Sequence, residues 1–172
     1  MHFVLCYPKL ASADREAIEA FRRIHEPARA KLVRAHMTLV FGATSVTAET
    51  LSKHAAVVAA ANAPFDFAFA GMEVEAHENG DHNLFLKVGE GGDRLVSLNQ
   101  ALYAGALGRE RRDDIEFTPH MTIATNADLK AVITCAVDAK PLSGIKGRIE
   151  TLDVATLANG ALHPVATVAL GK

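Results

Sequence analysis

A histidine, a methionine and a threonine occur in succession at two distant points of the chain. The first copy is His36-Met37-Thr38 and the second is His120-Met121-Thr122. One His-x-Thr is a weak signal, but a repeated tripeptide with two scarce residue types is expected by chance only about once in ten thousand. Imidazole titrates near neutrality, and a hydroxyl can donate a hydrogen bond to developing charge. The repeat therefore predicts paired proton-transfer groups with a hydroxyl donor beside each.

Both copies lie in segments that alternate apolar and polar residues, which is typical of a β-strand with one buried face. A period of two puts His36 and Thr38 on one face together with Val40, and puts Phe41 on the opposite face with the methionine. The second copy has the same pattern. Each strand is expected to bury its methionine and to present an imidazole and a hydroxyl side by side.

The composition limits the class of protein. The chain has 172 residues, 49% of them hydrophobic and 22% charged, which is ordinary for a globular protein. A formal net charge of -2 argues against coating long nucleic acid but permits a small anionic ligand. Apolar runs are too short for a membrane span or a signal peptide, so we expect a cytoplasmic protein. Cys6 and Cys135 lack Cys-x-x-Cys spacing and predict two reduced, buried thiols.

The predicted elements repeat along the chain. The succession strand, helix, motif strand, helix, strand occurs over about 2–75 and again over 82–157, and a last strand covers 161–170. A duplicated unit with a pseudo-twofold axis would bring the two motif strands together. The pattern predicts one domain over 1–172 in which both histidines face one cleft.

Local signals predict where the helices begin and end. Four helices are expected to begin at polar residues, namely Ser12, Thr47, Asp93 and Asn126, and the first three to end near Pro27, Asn62 and Gly108. The fourth has apolar residues at the spacing of a core-facing helix, namely Leu129, Val132, Ile133, Ala136 and Val137. Asn79-Gly80 predicts a turn between two strands.

The two motifs resemble those of the two-histidine phosphoesterase superfamily, which includes bacterial 2′-5′ RNA ligase-like proteins and 2′,3′-cyclic nucleotide phosphodiesterases. Residues 119–124 are especially similar to the second motif of that family, and residues 36–41 are similar to the first. The order of elements matches over nearly the whole chain. The resemblance implies an α+β, bilobal LigT-like fold of two pseudo-symmetric β-α-β-α-β halves, with antiparallel sheets flanking a central cleft. Connectivity alone favours parallel strands.

The resemblance also implies a mechanism that agrees with the residue chemistry. His36 and His120 are the expected catalytic pair, one a general base and the other a general acid, according to the orientation of the substrate. Thr38 and Thr122 are expected to bind the phosphoryl oxygens of the substrate. The chain has no spacing typical of a metal site, so we expect neither metal nor cofactor. The imidazoles should lie about 5–8 Å apart, the gap that fits a phosphoryl group.

The leading functional hypothesis is hydrolysis of 2′,3′-cyclic phosphates on nucleotides or RNA ends. The acidic balance favours small or terminal substrates over extended RNA, and we expect a monomer that does not bind membranes. Two alternatives stay open. The same residues could join RNA ends through a 2′-5′ bond, or the chain could be a nucleotide-binding module with little turnover.

Charged residues outside the motifs are weaker candidates. Arg34 should share the cleft with His36 and could contact phosphate, although a solvated arginine is the commoner outcome. Arg109, Arg111 and Arg112 could steer an anion. Acidic residues, namely Glu110, Asp113 and Asp114, are interleaved with them, which is typical of a solvated loop.

The remaining histidines and two aromatic residues are expected to have ordinary roles. His77 and His82 flank the predicted turn and should lie at the surface. Tyr7 and Phe41 could stack on a nucleobase, but packing in the core is their expected fate.

Overall fold

A computed structural model describes residues 1–77, 79–112, 114 and 116–171. The first part of the chain forms β1 (His2–Cys6), β2 (Lys9–Leu10), α1 (Ser12–His25), α2 (Pro27–Leu32), β3 (Met37–Ala43), α3 (Ala48–Ala60) and β4 (Phe65–Ala76). The second part forms β5 (His82–Val88), α4 (Gly92–Leu102), a 3₁₀ helix (Gly105–Glu110), β6 (His120–Asn126), α5 (Leu129–Asp138), a 3₁₀ turn (Lys140–Leu142), β7 (Lys146–Ile149), β8 (Thr151–Ala158) and β9 (Ala161–Ala169).

Two sheets contain the strands of the described residues. The first sheet has the order β3-β1-β8-β9 and the second has the order β2-β7-β4-β5-β6. Their paired strands run antiparallel, which confirms the α+β fold implied by the family resemblance. The parallel pairing favoured by connectivity alone is wrong. The reason is that α1 packs against β6 of the second sheet instead of returning to cover β1 and β3.

Each sheet is built from elements of both the early and the late part of the chain. The early helix α1 packs against β6, and the late helix α4 packs against β3. The early strand β4 joins β5 and β6, whereas the late strand β8 joins β1 and β3. The order β3-β1-β8 thus corresponds to β6-β5-β4. Both motif strands are the edge strands of their sheets, and they contact each other.

Each sheet buries one face beneath helices. α3 covers β1, β8 and β9, and α5 covers β4, β5 and β6. Met37 and Met121 are both buried in the core, as predicted from the alternation of their strands. The leucines on one face of α4 are also buried, as the helical spacing predicts, namely Leu95, Leu98 and Leu102. Burial of a methionine or leucine side chain stabilises the fold by about 1.5–3 kcal/mol. These residues therefore fix the position of the motif strands against the core.

Helix ends agree only in part with the local signals. Thr47 caps α3 as predicted, since its hydroxyl accepts a hydrogen bond from the backbone N–H of Thr50. Asn126 is not the cap of α5. Asp128 takes that place by accepting from the N–H of Lys130, and the Asn126 side chain accepts from the N–H of Asp128 instead.

Two further helix ends also differ from prediction. Ser12 is the first residue of α1, and its predicted capping position is occupied by Ala11. Gly108 does not end α4, which stops at Leu102, because the chain turns into the 3₁₀ helix before reaching that glycine. α1 ends at His25, two residues before Pro27, where its end was predicted.

The predicted core stripe of α5 is only partly buried. Val132 is fully buried, but other members of the stripe are exposed, namely Leu129, Ile133 and Val137. The helix meets the core through a narrow face that includes Val132 and the small residues Cys135 and Ala136. Apolar residues therefore extend around more of α5 than the sheet can cover.

Within the described ranges, no helix is long and apolar enough to cross a bilayer. Cys6 and Cys135 are both free. Cys6 is buried as predicted, but Cys135 is only half-buried, and its thiol lies 3.0 Å from Nδ1 of His25 on α1.

Candidate active site

A β-bulge changes the predicted faces of the first motif strand. Thr38 and Val40 pair with consecutive residues of β1, so Leu39 is an extra residue in β3. Val40 is fully buried and Phe41 is 74% exposed, the reverse of the strict period of two that we predicted. Phe41 therefore does not pack in the core. It lies on the side of Thr38, where its ring makes an edge contact with Phe3 at 5.5 Å.

The second motif strand has a bulge at the equivalent point. Thr122 and Ala124 pair with consecutive residues of β5, which leaves Ile123 as the extra residue. In each strand the extra residue comes three positions after the motif histidine. The two motifs thus share a local irregularity as well as a sequence pattern, which supports a common structural unit. The predicted alternation missed it because the motif segments have no glycine at that point to suggest a bulge.

The motif threonines lie on the faces of the sheets that point away from the helices. Directly opposed residues in antiparallel strands share a face. Thr38 stands opposite Leu5, and Thr122 stands opposite Phe85. The chain neighbours of Leu5 and Phe85 belong to the helix-covered core, so these two side chains point the other way. Both threonines are half-buried there, each beside an apolar residue from the neighbouring strand.

His36 lies directly before β3 and is oriented by its own backbone. Its Nδ1–H donates to the carbonyl oxygen of Arg34 at 2.7 Å. A carbonyl can only accept, so the neutral ring carries its proton on Nδ1 and leaves Nε2 as the free nitrogen. The Tyr7 ring lies 5.9 Å from the imidazole, and the exposed guanidinium of Arg34 stacks over that Tyr7 ring at 4.4 Å.

His120 is held in the same way. Its Nδ1–H donates to the carbonyl oxygen of Thr118 at 2.7 Å, again two residues earlier. The ring stacks on Phe85 with 3.8 Å between centroids and 22° between planes. Both motifs therefore present the same tautomer, with Nε2 as the nitrogen that can exchange a proton with a ligand.

Burial lowers the pKa of both histidines. Around His36, loss of water is the main cause, the backbone hydrogen bond opposes it, and the charge of Arg22 adds to it. Around His120, burial is again the main cause, the backbone hydrogen bond opposes it, Lys87 adds to it and Glu75 opposes it. Each imidazole is thus biased toward the neutral form, in which Nε2 can accept a proton.

Lys87 is a candidate site residue that the sequence analysis did not single out. It stands directly opposite His120 in β5, so it shares the face of that imidazole. Its ammonium group donates to the carboxylate of Glu73 at 2.6 Å, and this hydrogen bond holds the pKa of Glu73 below its usual range. The alternation of apolar residues in β5 predicted a strand, but only the register with β6 puts this lysine beside a motif histidine.

The arginine-rich loop is exposed, as predicted. The side chains of Arg109, Arg111 and Arg112 all face solvent. Arg112 forms a bidentate ion pair with Asp114 at 3.0 Å, and Asp113 lies outside the described residues. Exposed arginines interleaved with acidic residues agree with the predicted solvated loop.

The two histidines beside the Asn79-Gly80 turn differ in exposure. His77 is exposed as expected, whereas His82 is half-buried because it is already part of β5. Within the described residues, no cluster of three or more His, Cys, Asp or Glu side chains is placed to hold a metal ion.

The fold and the paired motifs define a two-histidine protein of the α+β class. A family model described as the 2′-5′ RNA ligase superfamily matches residues 8–161. The chain belongs to this superfamily, as the resemblance of its motifs indicated. No curated protein matches the sequence.

Solved structures show the same fold at low sequence identity. E. coli LigT in its apo form is 21% identical with a TM-score of 0.61, and the match covers 99% of this chain and 97% of LigT. The Thermus thermophilus protein TT0787 is 18% identical with a TM-score of 0.68, covering 99% and 98%. Kluyveromyces marxianus Usb1 is 10% identical with a TM-score of 0.56, covering 98% and 97%. LigT has also been crystallised with 3′-AMP, ATP, NADP+ and phosphate.

Proposed function

We propose that this protein is a metal-independent phosphodiesterase that hydrolyses 2′,3′-cyclic phosphates of nucleotides or RNA ends. The observation that carries the proposal is that the two motif imidazoles have the same hydrogen bond and the same tautomer. Each donates Nδ1–H to the carbonyl two residues earlier and keeps Nε2 free, and the two imidazoles stand at the beginnings of edge strands that contact each other. Membership of the 2′-5′ RNA ligase superfamily supports chemistry at a phosphodiester.

Hydrolysis then needs one proton to be removed and one to be delivered. The imidazole that acts as base takes a proton from water at Nε2 while the water oxygen attacks phosphorus. The other imidazole, protonated at the start, gives its Nε2 proton to the departing ribose oxygen, and the ring of the cyclic phosphate opens to a monoester. The hydroxyls of Thr38 and Thr122 donate to the non-bridging oxygens as negative charge develops.

Phe41 is the best candidate for a side chain that binds the nucleobase of the substrate. It is exposed, it lies on the side of Thr38, and its backbone N–H is held by the hydroxyl of Tyr103 at 3.1 Å. An aromatic side chain can stack on any nucleobase. The complexes of the structural relative LigT with 3′-AMP and ATP support a small nucleotide as the ligand.

A turnover assay with 2′,3′-cyclic AMP in the presence of EDTA tests the proposal. We expect turnover by the wild type and a loss of about 10²–10⁴ in kcat for His36→Ala and for His120→Ala, the usual share of one general acid or base. His77→Ala is the matched control, since it removes an exposed imidazole outside the motifs. Wild-type turnover by either motif variant would refute the proposal. Nucleotide binding without turnover by the wild type would favour a binding module instead.

A substrate with an activated leaving group separates the two roles. Such a leaving group needs little protonation, so it should restore the rate of the variant that lacks the acid and not of the variant that lacks the base. Equal rescue of both variants would contradict the assignment of one proton transfer to each motif.

Joining of RNA ends is the second candidate, and the name of the superfamily favours it. In that reaction the oxygen of a 5′-hydroxyl group, rather than water, would attack the cyclic phosphate, and the same two imidazoles would exchange the protons. Incubation of two RNA fragments with matching ends, followed by analysis of the linkage formed, measures this activity. A net charge of -2 does not favour long RNA, so we expect hydrolysis to be the faster reaction.

A further inference from the structure

The second half of α1 and the residue that follows it carry an ionic cluster that the chemistry above does not use. Arg22 is 2% exposed and Glu26 is 4% exposed. Arg22 donates to Glu26 through Nε and to Glu19 through Nη1, the latter at 3.2 Å. Replacing a buried ion pair by apolar residues is often neutral or stabilising. Stability alone therefore does not account for three charged residues at this place.

The cluster holds the segment that leads into the first motif. The Glu19 carboxylate accepts from the backbone N–H of Ala35 at 2.7 Å, and Arg22 donates to the carbonyl oxygen of Val33 at 3.1 Å. These bonds fix the peptide groups on both sides of the Arg34 Cα. The N–H of Ala35 and the carbonyl of Arg34 belong to one planar peptide group. That same carbonyl accepts the Nδ1–H of His36.

We propose that Glu19 is a positioning residue for His36. Its carboxylate fixes the peptide group between Arg34 and Ala35, whose oxygen in turn holds the proton of His36 on Nδ1 and turns Nε2 outward. Arg22 fixes the carboxylate of Glu19. The hydrogen bond from the Ala35 N–H to Glu19 also polarises the Arg34 carbonyl of the same peptide group, because linked hydrogen bonds strengthen one another. The effect on turnover rests on the proposed function, but the effect on the imidazole does not.

The acceptor of His120 is fixed by different means. Its carbonyl belongs to Thr118, and the next residue is Pro119, so that peptide group has no N–H for a carboxylate to bind. Pro119 is buried, and its own carbonyl accepts from the N–H of Val88 at 3.0 Å. A change at Glu19 should therefore affect His36 and leave His120 as an internal reference.

Long-range proton–nitrogen NMR spectra of the two imidazoles test the proposal directly. In the wild type, both neutral rings should show the Nδ1–H tautomer. Glu19→Ala should shift His36 toward the Nε2–H tautomer and leave His120 unchanged. Glu19→Gln keeps an oxygen acceptor for Ala35 and should largely preserve the wild-type tautomer. Glu16→Ala is the matched control, since Glu16 forms an exposed ion pair with Arg23 on the same helix.

Activity gives a second readout. Displacing a reacting group by a fraction of an ångström to 1 Å can cost up to about 100-fold, so Glu19→Ala should lower kcat about 10- to 100-fold with KM nearly unchanged. Glu19→Gln should recover most of that loss.

A folded Glu19→Ala protein in which His36 keeps its Nδ1–H tautomer would overturn the proposal, as would an equal shift of both imidazoles. If Glu19→Ala does not fold, Glu19→Met keeps most of the side-chain volume and removes the acceptor, and the same outcomes decide. A wild-type protein that does not turn over cyclic phosphate would reject the proposed function, while the tautomer comparison would still decide the role of Glu19.

Discussion

Replacing Phe41 by alanine should weaken productive binding of a substrate that carries a base and leave the proton-transfer chemistry intact. The side chain is 74% exposed, and its edge contact with Phe3 is the aromatic contact that the substitution removes. Such a contact is worth about 0.5–1.5 kcal/mol, so the protein should stay folded. Stacking on a base is worth about 1–3 kcal/mol. At about 1.4 kcal/mol for each factor of ten, kcat/KM for 2′,3′-cyclic AMP should fall roughly 5- to 140-fold.

The assay compares two substrates and two variants. Glycerol 1,2-cyclic phosphate presents a cyclic phosphodiester without a base, so Phe41→Ala should hydrolyse it at the wild-type rate. Val57→Ala is the control variant, since it also truncates an exposed apolar side chain. Val57 lies on α3, the helix that covers the face of the first sheet opposite to Phe41. Equal losses on both substrates would show that Phe41 acts on the chemistry or the fold, and no loss on either would refute its role as a stacking surface.

Three further predictions concern the motif residues and their surroundings. Burial lowers the pKa of His36 and His120 from 6.5, so the folded state binds fewer protons than the unfolded state as the pH falls past that value. The free energy of unfolding should therefore decrease as the pH falls from about 7 to about 5. Urea titrations should show a smaller decrease for His36→Gln than for the wild type. Thr38→Val and Thr122→Val should each lower kcat about 10- to 100-fold by removing a donor to developing charge, and near-wild-type rates would show that the hydroxyls do not contact the reacting group. Lys87→Met removes a cation that lowers the pKa of His120 and leaves Glu73 without its partner, so an NMR titration should show a higher pKa for His120 and no change for His36.

The sequence predicted where the motif strands lie and which face their methionines take, because the alternation holds up to the bulge in each strand. Met37 and Met121 lie in the core as their period requires, and the hydroxyl of Thr47 caps α3. The faces of Val40 and Phe41 were wrong because a bulge is a property of the register between two strands. The sequence of one strand gives no sign of which of its own residues will be left without a partner.

The surroundings of the histidines could not be predicted for a related reason. Glu19 and Arg22 look like ordinary helix-surface charges, and only the packing of α1 against the segment before β3 makes them hydrogen-bond partners of its backbone. The register that puts Lys87 opposite His120 depends on pairing between strands more than thirty residues apart. Such contacts are set by tertiary structure, while periodicity and capping signals are local.

The exchange of strands between the two sheets has a consequence for how the protein is made. β1 leaves the ribosome well before its neighbour β8, which begins only at Thr151. The central pair of the first sheet, β1 and β8, therefore cannot form until the residues between these two strands have been synthesised. Until then β1 can pair with β3 alone, and its other edge remains open to strands of other molecules. Folding should be slow for a chain of this length, because pairing across such separations must overcome a large loop-closure entropy.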